Sequence, residues 1–184
     1  GDIPLKFIAD IREVTYTRVA GNGFEENDEV GVFALVGSST MKEERYADNL
    51  RFFRTSEKVF ESSEPIYYPD DEVTLRLISY YPYQEEGVNM GESTMSVAVE
   101  TDQNLSAGYF CSDFLVASQN LQSAPKGAIA LHYDHKFFKL KIALVGKEGE
   151  ELQGILDADP KLSVCGFYTK AIYDFQKETY SAFS

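Results

Sequence analysis

The sequence has 184 residues, 43% of them hydrophobic and 26% charged, with a formal net charge of -13 and a pI near 4.5. That length and balance suit one globular domain with a sizeable core and exclude a fibrous repeat or a disordered chain. The acidity repels phosphate backbones and anionic lipid heads, so nucleic acid is not an expected partner and the acidic surface reads as solubilising.

The aromatic content points to strands. Twelve Tyr and thirteen Phe occur without any Trp, in runs such as Ile66-Tyr67-Tyr68 and Tyr80-Tyr81-Pro82-Tyr83, and rings of this kind pack well on a pleated, half-buried surface. The chain opens with Gly1-Asp2 and enters a strand pattern at once, as removal of a leader would leave it, so export is permitted. No apolar run approaches the about 18 residues that cross a bilayer as a helix. Cys111 and Cys165 allow at most one bridge and do not fix the redox compartment.

In chain order, Ile3, Leu5, Phe7, Ala9 and Ile11 alternate with other residues, which is the period of a strand with one buried face. Pro4 sits at the start of this strand, where a missing N–H does least harm. Gly21-Asn22-Gly23 marks a turn before the acidic stretch Phe24 to Asp28. Glu29 to Val36 reads as a nearly continuous apolar strand. Gly37 to Ser63 reads as loop mixed with short strands. Pro65 to Asp71 is a turn-rich junction, followed by the alternation Val73, Leu75, Leu77, Ser79, Tyr81 and Tyr83. Met95, Val97 and Val99 form a shorter strand, Thr101 to Gly108 a polar loop, and Asp113 to Ala117 another short strand.

From Ala128 to Val145 the apolar phase changes: Ile129, Leu131, Tyr133 and Phe137 are odd, whereas Phe138, Leu140, Ile142 and Leu144 are even. A strand cannot bury both sets on one face, so a bulge or break is expected near His135 to Phe138. Gly146 to Pro160 is a connection with one helical turn. Strands are then expected at Leu162 to Val164 and at Ala171, Tyr173 and Phe175. Eight or more short strands separated by turns, with no long helix, predict an all-β protein, an antiparallel β-sandwich.

Chemistry-bearing constellations are sparse. His132 and His135 are spaced H-x-x-H, but residues three apart on a strand point to opposite faces and would not converge on one metal ion. The acidic runs Glu25 to Glu29 and Asp70-Asp71-Glu72 lack the ligand spacing and central Gly of a calcium loop and read as solvated turns. There is no nucleophile elbow, phosphate-binding glycine loop or preferred carboxylate pair. No catalytic residue, metal or cofactor is assigned. The aromatic cluster places Tyr81 and Tyr83 on the buried face and Tyr80 on the other, which leaves Tyr80 as a weak candidate glycan contact of a surface glycan-binding module.

Several segments in order carry a resemblance: Leu5-Lys6-Phe7, Thr17-Arg18 through Phe24 to Phe33, Ile66-Tyr67-Tyr68-Pro69-Asp70 followed by Ser79 to Tyr83, Asp113-Phe114-Leu115-Val116-Ala117, and the strand around His135 to Leu140. Together they resemble the fimbrillin-like family of bacterial surface adhesins and fimbrial subunits. The resemblance implies a transthyretin-like antiparallel β-sandwich of about seven to nine strands, with residues 1–184 as one N-terminal domain and the family's C-terminal domain outside them. It implies a lipoprotein precursor whose lipid anchor is the sole tie to a membrane, export to the outer membrane and cell surface, and display in a fimbrium. It implies partner subunits joined by strand exchange, and a host or bacterial surface ligand. Carried onto this sequence, the removable strand is Ile3, Leu5, Phe7, Ala9 and Ile11, and the protease-processing site is Arg18, with Arg12 as the second choice.

Overall fold

Strands that must bury one face alternate in polarity, and strands that must bury two faces cannot. Both kinds occur in this molecule. The computed structural model describes residues 4–12, 23–56, 58–69, 72–100, 112–137, 145, 152–159 and 163–183. Within them, β1 is Phe7–Ile11, β2 Glu29–Val36, β3 Ala47–Arg54, β4 Val59–Ser62 and β5 Leu75–Tyr81. Further along, β6 is Thr94–Ala98, β7 Leu115–Leu121, β8 Ile129–His135, β9 Lys170–Asp174 and β10 Thr179–Phe183, with a six-residue helix α1, Leu152–Asp157, between β8 and β9.

Seven strands close into a barrel in the order β1-β4-β3-β2-β5-β7-β8, and the other three form a sheet in the order β10-β9-β6. The ring is antiparallel at every junction except one, where β1 runs parallel to β8 over the pairs from Phe7↔Ile129 to Ile11↔Tyr133.

Two cores share one wall. Inside the barrel lie Phe7, Val30, Val32, Ala34, Phe52, Phe60, Leu75, Leu77, Leu131 and Tyr133. A second buried cluster unites Phe33, Leu35, Ile78, Tyr80 and Val116 from the barrel strands with Met95 and Val97 of β6 and Ala171, Tyr173 and Phe175 in and after β9. Val30, Val32 and Ala34 of β2 therefore point into the barrel and Phe33 and Leu35 point out of it, all at 1% exposure or less. This explains why β2 is apolar throughout, while β1 and β8 alternate.

Gly31 stands opposite Tyr80 in the β2–β5 register. A Cβ on Gly31 would lie 2.2 Å from the Tyr80 ring, so the absence of a side chain is what lets that ring lie across the strand. Inside the barrel, the Tyr133 hydroxyl meets Ser79 Oγ at 2.6 Å, and Ser79 in turn donates to the Gly31 carbonyl at 3.0 Å. Burial pushes the Tyr133 phenol well above the usual tyrosine range.

The loop between β2 and β3 is fastened to the loop after β5 by one side chain. Arg45, 5% exposed, donates through Nε to Met41 O at 2.8 Å, and through its two terminal nitrogens to Val88 O, Asn89 O and Glu92 O at 2.7, 3.0 and 3.1 Å. It also pairs with Asp48 at 2.5 Å and lies 5.4 Å over the Phe33 ring. A planar guanidinium with five donors suits this set of carbonyls, as a lysine ammonium does not.

Some expectations are corrected. The described strands number ten, because Gly37 to Ser63 resolves into β3 and β4 and β10 follows β9. One pair is parallel in a fold expected to be antiparallel throughout. No strand forms at Val164: residues 163–169 carry none, and Val164 is half-exposed because no sheet covers it. β8 ends at His135, where the phase of the sequence changes, and Phe138 to Leu144 lie outside the described residues.

Replacing Arg45 by alanine strips hydrogen bonds from four backbone carbonyls, and an expected loss of about 3–5 kcal/mol follows, read as a lower denaturant midpoint. Arg45→Lys is expected to recover less than half of it. Gly31→Ala forces Tyr80 out of its place, with an expected cost of about 1–3 kcal/mol in the same assay.

Candidate functional site

With no enzyme constellation to build on, the site follows from the strand that completes the barrel. Leu5, Phe7 and Ala9 are 4%, 1% and 3% exposed, Ile11 packs partly buried against the same core, and Ile8 between them is 43% exposed. Phe7 stacks obliquely on Phe52 with centroids 4.6 Å apart. The alternation in the sequence thus becomes an inward apolar row and an outward polar row, as expected for these residues. Ile3 lies outside the described residues; Pro4 bridges to Tyr67.

The backbone of this segment is held on both sides. Leu5 N donates to Ile66 O at 2.8 Å and Ala9 N to Lys58 O at 2.9 Å on the β4 side. On the β8 side, Ile129 N donates to Lys6 O and Arg12 N to Tyr133 O, each at 2.8 Å. Without β1, both β4 and β8 would present an open edge beside an uncovered apolar groove, a surface suited to accepting another strand.

Two ion pairs and a histidine–carboxylate hydrogen bond run along the outer face. Lys6 Nζ is 2.7 Å from Glu61 of β4, His132 Nδ1 of β8 is 2.5 Å from Asp10, and an Arg12 guanidinium nitrogen is 3.7 Å from Asp134. Asp10 and His132 are direct partners in the parallel register. The alternating apolar row is legible in the sequence, but the polar row is not, because its partners lie on β4 and β8, strands that only the fold brings beside β1.

The remaining candidates fall elsewhere. Arg12 follows β1 directly and its side chain is 62% exposed; Arg18 lies outside the described residues. His135 is held by Asp113 at 2.8 Å, away from the Asp10 pair of His132. In the acidic run, Glu25 N donates to Asp28 Oδ2 at 2.5 Å, Asp28 N donates to Glu25 O at 3.1 Å, and Asn27 has φ 74, so the segment is a closed turn. Asp70, Asp71 and Cys111 lie outside the described residues, and Cys165 is exposed and free.

Tyr80 requires a correction. It does face away from Tyr81, but that second face is covered by the three-stranded sheet, and Tyr80 is 0% exposed. Its hydroxyl donates to Asn49 Oδ1 at 2.6 Å, and burial raises its pKa above the usual tyrosine range. With both ring faces in the core, it offers no platform to a sugar. Tyr81 is half-buried at the barrel mouth, where its hydroxyl donates to Asp28 at 3.1 Å.

A test of the seat is direct. Phe7→Ala is expected to cost about 3–5 kcal/mol, and the outward Ile8→Ala less than about 1 kcal/mol, both from chemical denaturation.

Comparison with known proteins comes from three directions. The family model described as "Fimbrillin-like" matches residues 17–184. Among curated proteins, none matches this chain. Among solved structures, a candidate cell adhesion protein of Bacteroides uniformis ATCC 8492 is similar, with a TM-score of 0.65 at 19% identity, over 98% of this chain and 66% of that one. Another, from Bacteroides ovatus ATCC 8483, gives a TM-score of 0.53 at 18% identity, over 74% of this chain and 53% of that one. At these identities the likeness establishes a shared fold, and the chain spans between about half and two thirds of the length of these structures. With its match covering nearly the whole sequence, the chain belongs to the fimbrillin-like family.

Proposed function

We propose that this chain is a structural subunit or adhesin of bacterial cell-surface fimbriae, which assembles by β-strand exchange after its N-terminal strand is removed. The observation that carries the reading is the seat of β1. This short strand fills the gap between β4 and β8, supplies Leu5, Phe7 and Ala9 to the barrel core, and precedes every other described strand, so its departure unthreads none of them. Burial of Leu5 and Phe7 stabilises by about 1.5–3 kcal/mol each, a large share of a total stability of about 5–15 kcal/mol. A barrel that gives up this strand is driven to accept another, and a strand from a neighbouring subunit restores both the core and the hydrogen bonds.

Further support comes from membership of the fimbrillin-like family and from the adhesion role named for the two similar structures. In this reading residues 1–184 are one N-terminal domain, exported as a lipid-anchored precursor to the outer membrane and presented at the cell surface. Its work is assembly and attachment, with no catalytic step, and its partners are other fimbrial subunits and a host or bacterial surface ligand. Processing occurs at Arg18 or, failing that, at Arg12, whose exposure directly after β1 leaves it open to a protease.

Limited trypsin digestion tests this. The expected result is an early cut after Arg12 or Arg18, identified by mass spectrometry, with the N-terminal segment released under mild denaturant while far-UV circular dichroism of the remainder is retained. An N-terminus that resists cutting, or collapse of the whole fold on cutting, overturns the reading.

A further inference from the structure

We infer that the seat of β1 selects its occupant by charge as well as by shape, and that the strand it accepts from a partner subunit carries a defined pattern. The inference rests on the strand-exchange reading above and adds to it which partner fits. Main-chain hydrogen bonds admit any extended segment, so selectivity has to come from side chains.

Two rows supply it. Inward, the seat takes large apolar side chains at the places of Leu5 and Phe7 and a small one at Ala9, which is 3% exposed in the barrel core. A bulky side chain at that third place would overpack a filled core. Outward, the rim presents an acid, Glu61, against Lys6; an imidazole, His132, against Asp10; and a second acid, Asp134, against Arg12. The occupant therefore reads large apolar, basic, large apolar, any residue, small, acidic, apolar, basic, and it runs parallel to β8 and antiparallel to β4. In this sequence that pattern occurs once, at Leu5 to Arg12. No other segment of these residues fits the seat, and the occupant is a strand of this pattern brought by a partner subunit.

Each rim pair is solvent-exposed and modest alone, a factor of about five at most, but an occupant of the wrong sign meets like-charge contacts at Glu61 and Asp134 and withdraws the carboxylate that pairs with His132. Selectivity of this kind suppresses wrong partners more than it strengthens the right one.

The experiment uses the full chain, nicked by limited trypsin and then freed of protease, with fluorescent peptides spanning Pro4 to Arg12. Uptake of the native peptide is followed by polarisation and native mass spectrometry. A peptide with Lys6→Glu, Asp10→Lys and Arg12→Glu is expected to enter about tenfold more weakly or worse, as is one with Ala9→Leu. Reversing the rim with Glu61→Lys, His132→Glu and Asp134→Lys is expected to invert the preference. Equal uptake of native and charge-reversed peptides overturns the charge rule while leaving strand exchange standing; failure of every peptide to enter overturns both. A second arm needs no exchange. In the uncut chain the rim triple variant is expected to melt lower than the parent, and adding the three β1 reversals is expected to restore it. No recovery there overturns the rim.

Discussion

A sheet that closes on itself has no free edges, and here closure depends on a five-residue strand wedged between β4 and β8. The rest of the barrel can form a curved six-stranded sheet from continuous antiparallel neighbours, but its ends meet only through β1. The junction is parallel on one side and antiparallel on the other, which leaves each flanking strand fully paired. A single element thus controls whether the apolar interior is sealed and whether two strand edges are exposed. A strand this short that nevertheless seals the barrel is the feature on which the proposed exchange with another chain rests.

The opposite side of the barrel has a different problem. There parts of β2, β5 and β7 form a wall between two cores, so outward Phe33, Leu35, Ile78, Tyr80 and Val116 are buried, as are inward Val30, Val32, Leu75, Leu77 and Leu115. Phe33, Tyr80 and Phe175 pack ring against ring across the layer, with centroids 5.5–5.8 Å apart. Arg45 sets the distance between the loops at the margin of this layer by satisfying carbonyls from three directions. Among the described residues the Tyr173 hydroxyl has no hydrogen-bond partner, and burial pushes its phenol up to about 12. One unsatisfied hydroxyl in a tightly packed layer is a cost that the surrounding aromatic contacts offset. This half of the molecule is built from two shared cores, whereas β1 belongs to the barrel core alone.

Much of this was legible in residue patterns. The phase of Leu5, Phe7 and Ala9 located the buried row of β1, and the nearly continuous apolar run Glu29 to Val36 located β2 to the residue. The alternation from Val73 to Tyr83 located β5, which spans Leu75–Tyr81, and the break in phase near His135 coincided with the end of β8. Less legible were β3 and β4, whose polar and aromatic residues follow no clean alternation because Asn49 adopts φ 51 inside β3 and the β2–β3 register shifts between Val32 and Ala34. Tyr80 was assigned the right face and the wrong environment.

Period and turn chemistry are local, so the sequence by itself determined that the chain is all-β, where most strands lie, and which side of β1 is apolar. It also determined the acidic surface and, through the order of its segments, the family. Which strands become neighbours is a long-range matter on which local pattern is silent. Only the tertiary structure decided that β1 pairs with β8, that Lys6, Asp10 and Arg12 each meet an oppositely polar partner, and that a second sheet buries Tyr80. The reason is that alternation assigns two faces to a strand, and what covers each face depends on elements remote in sequence: Glu61 is 55 residues from Lys6 and His132 is 122 from Asp10.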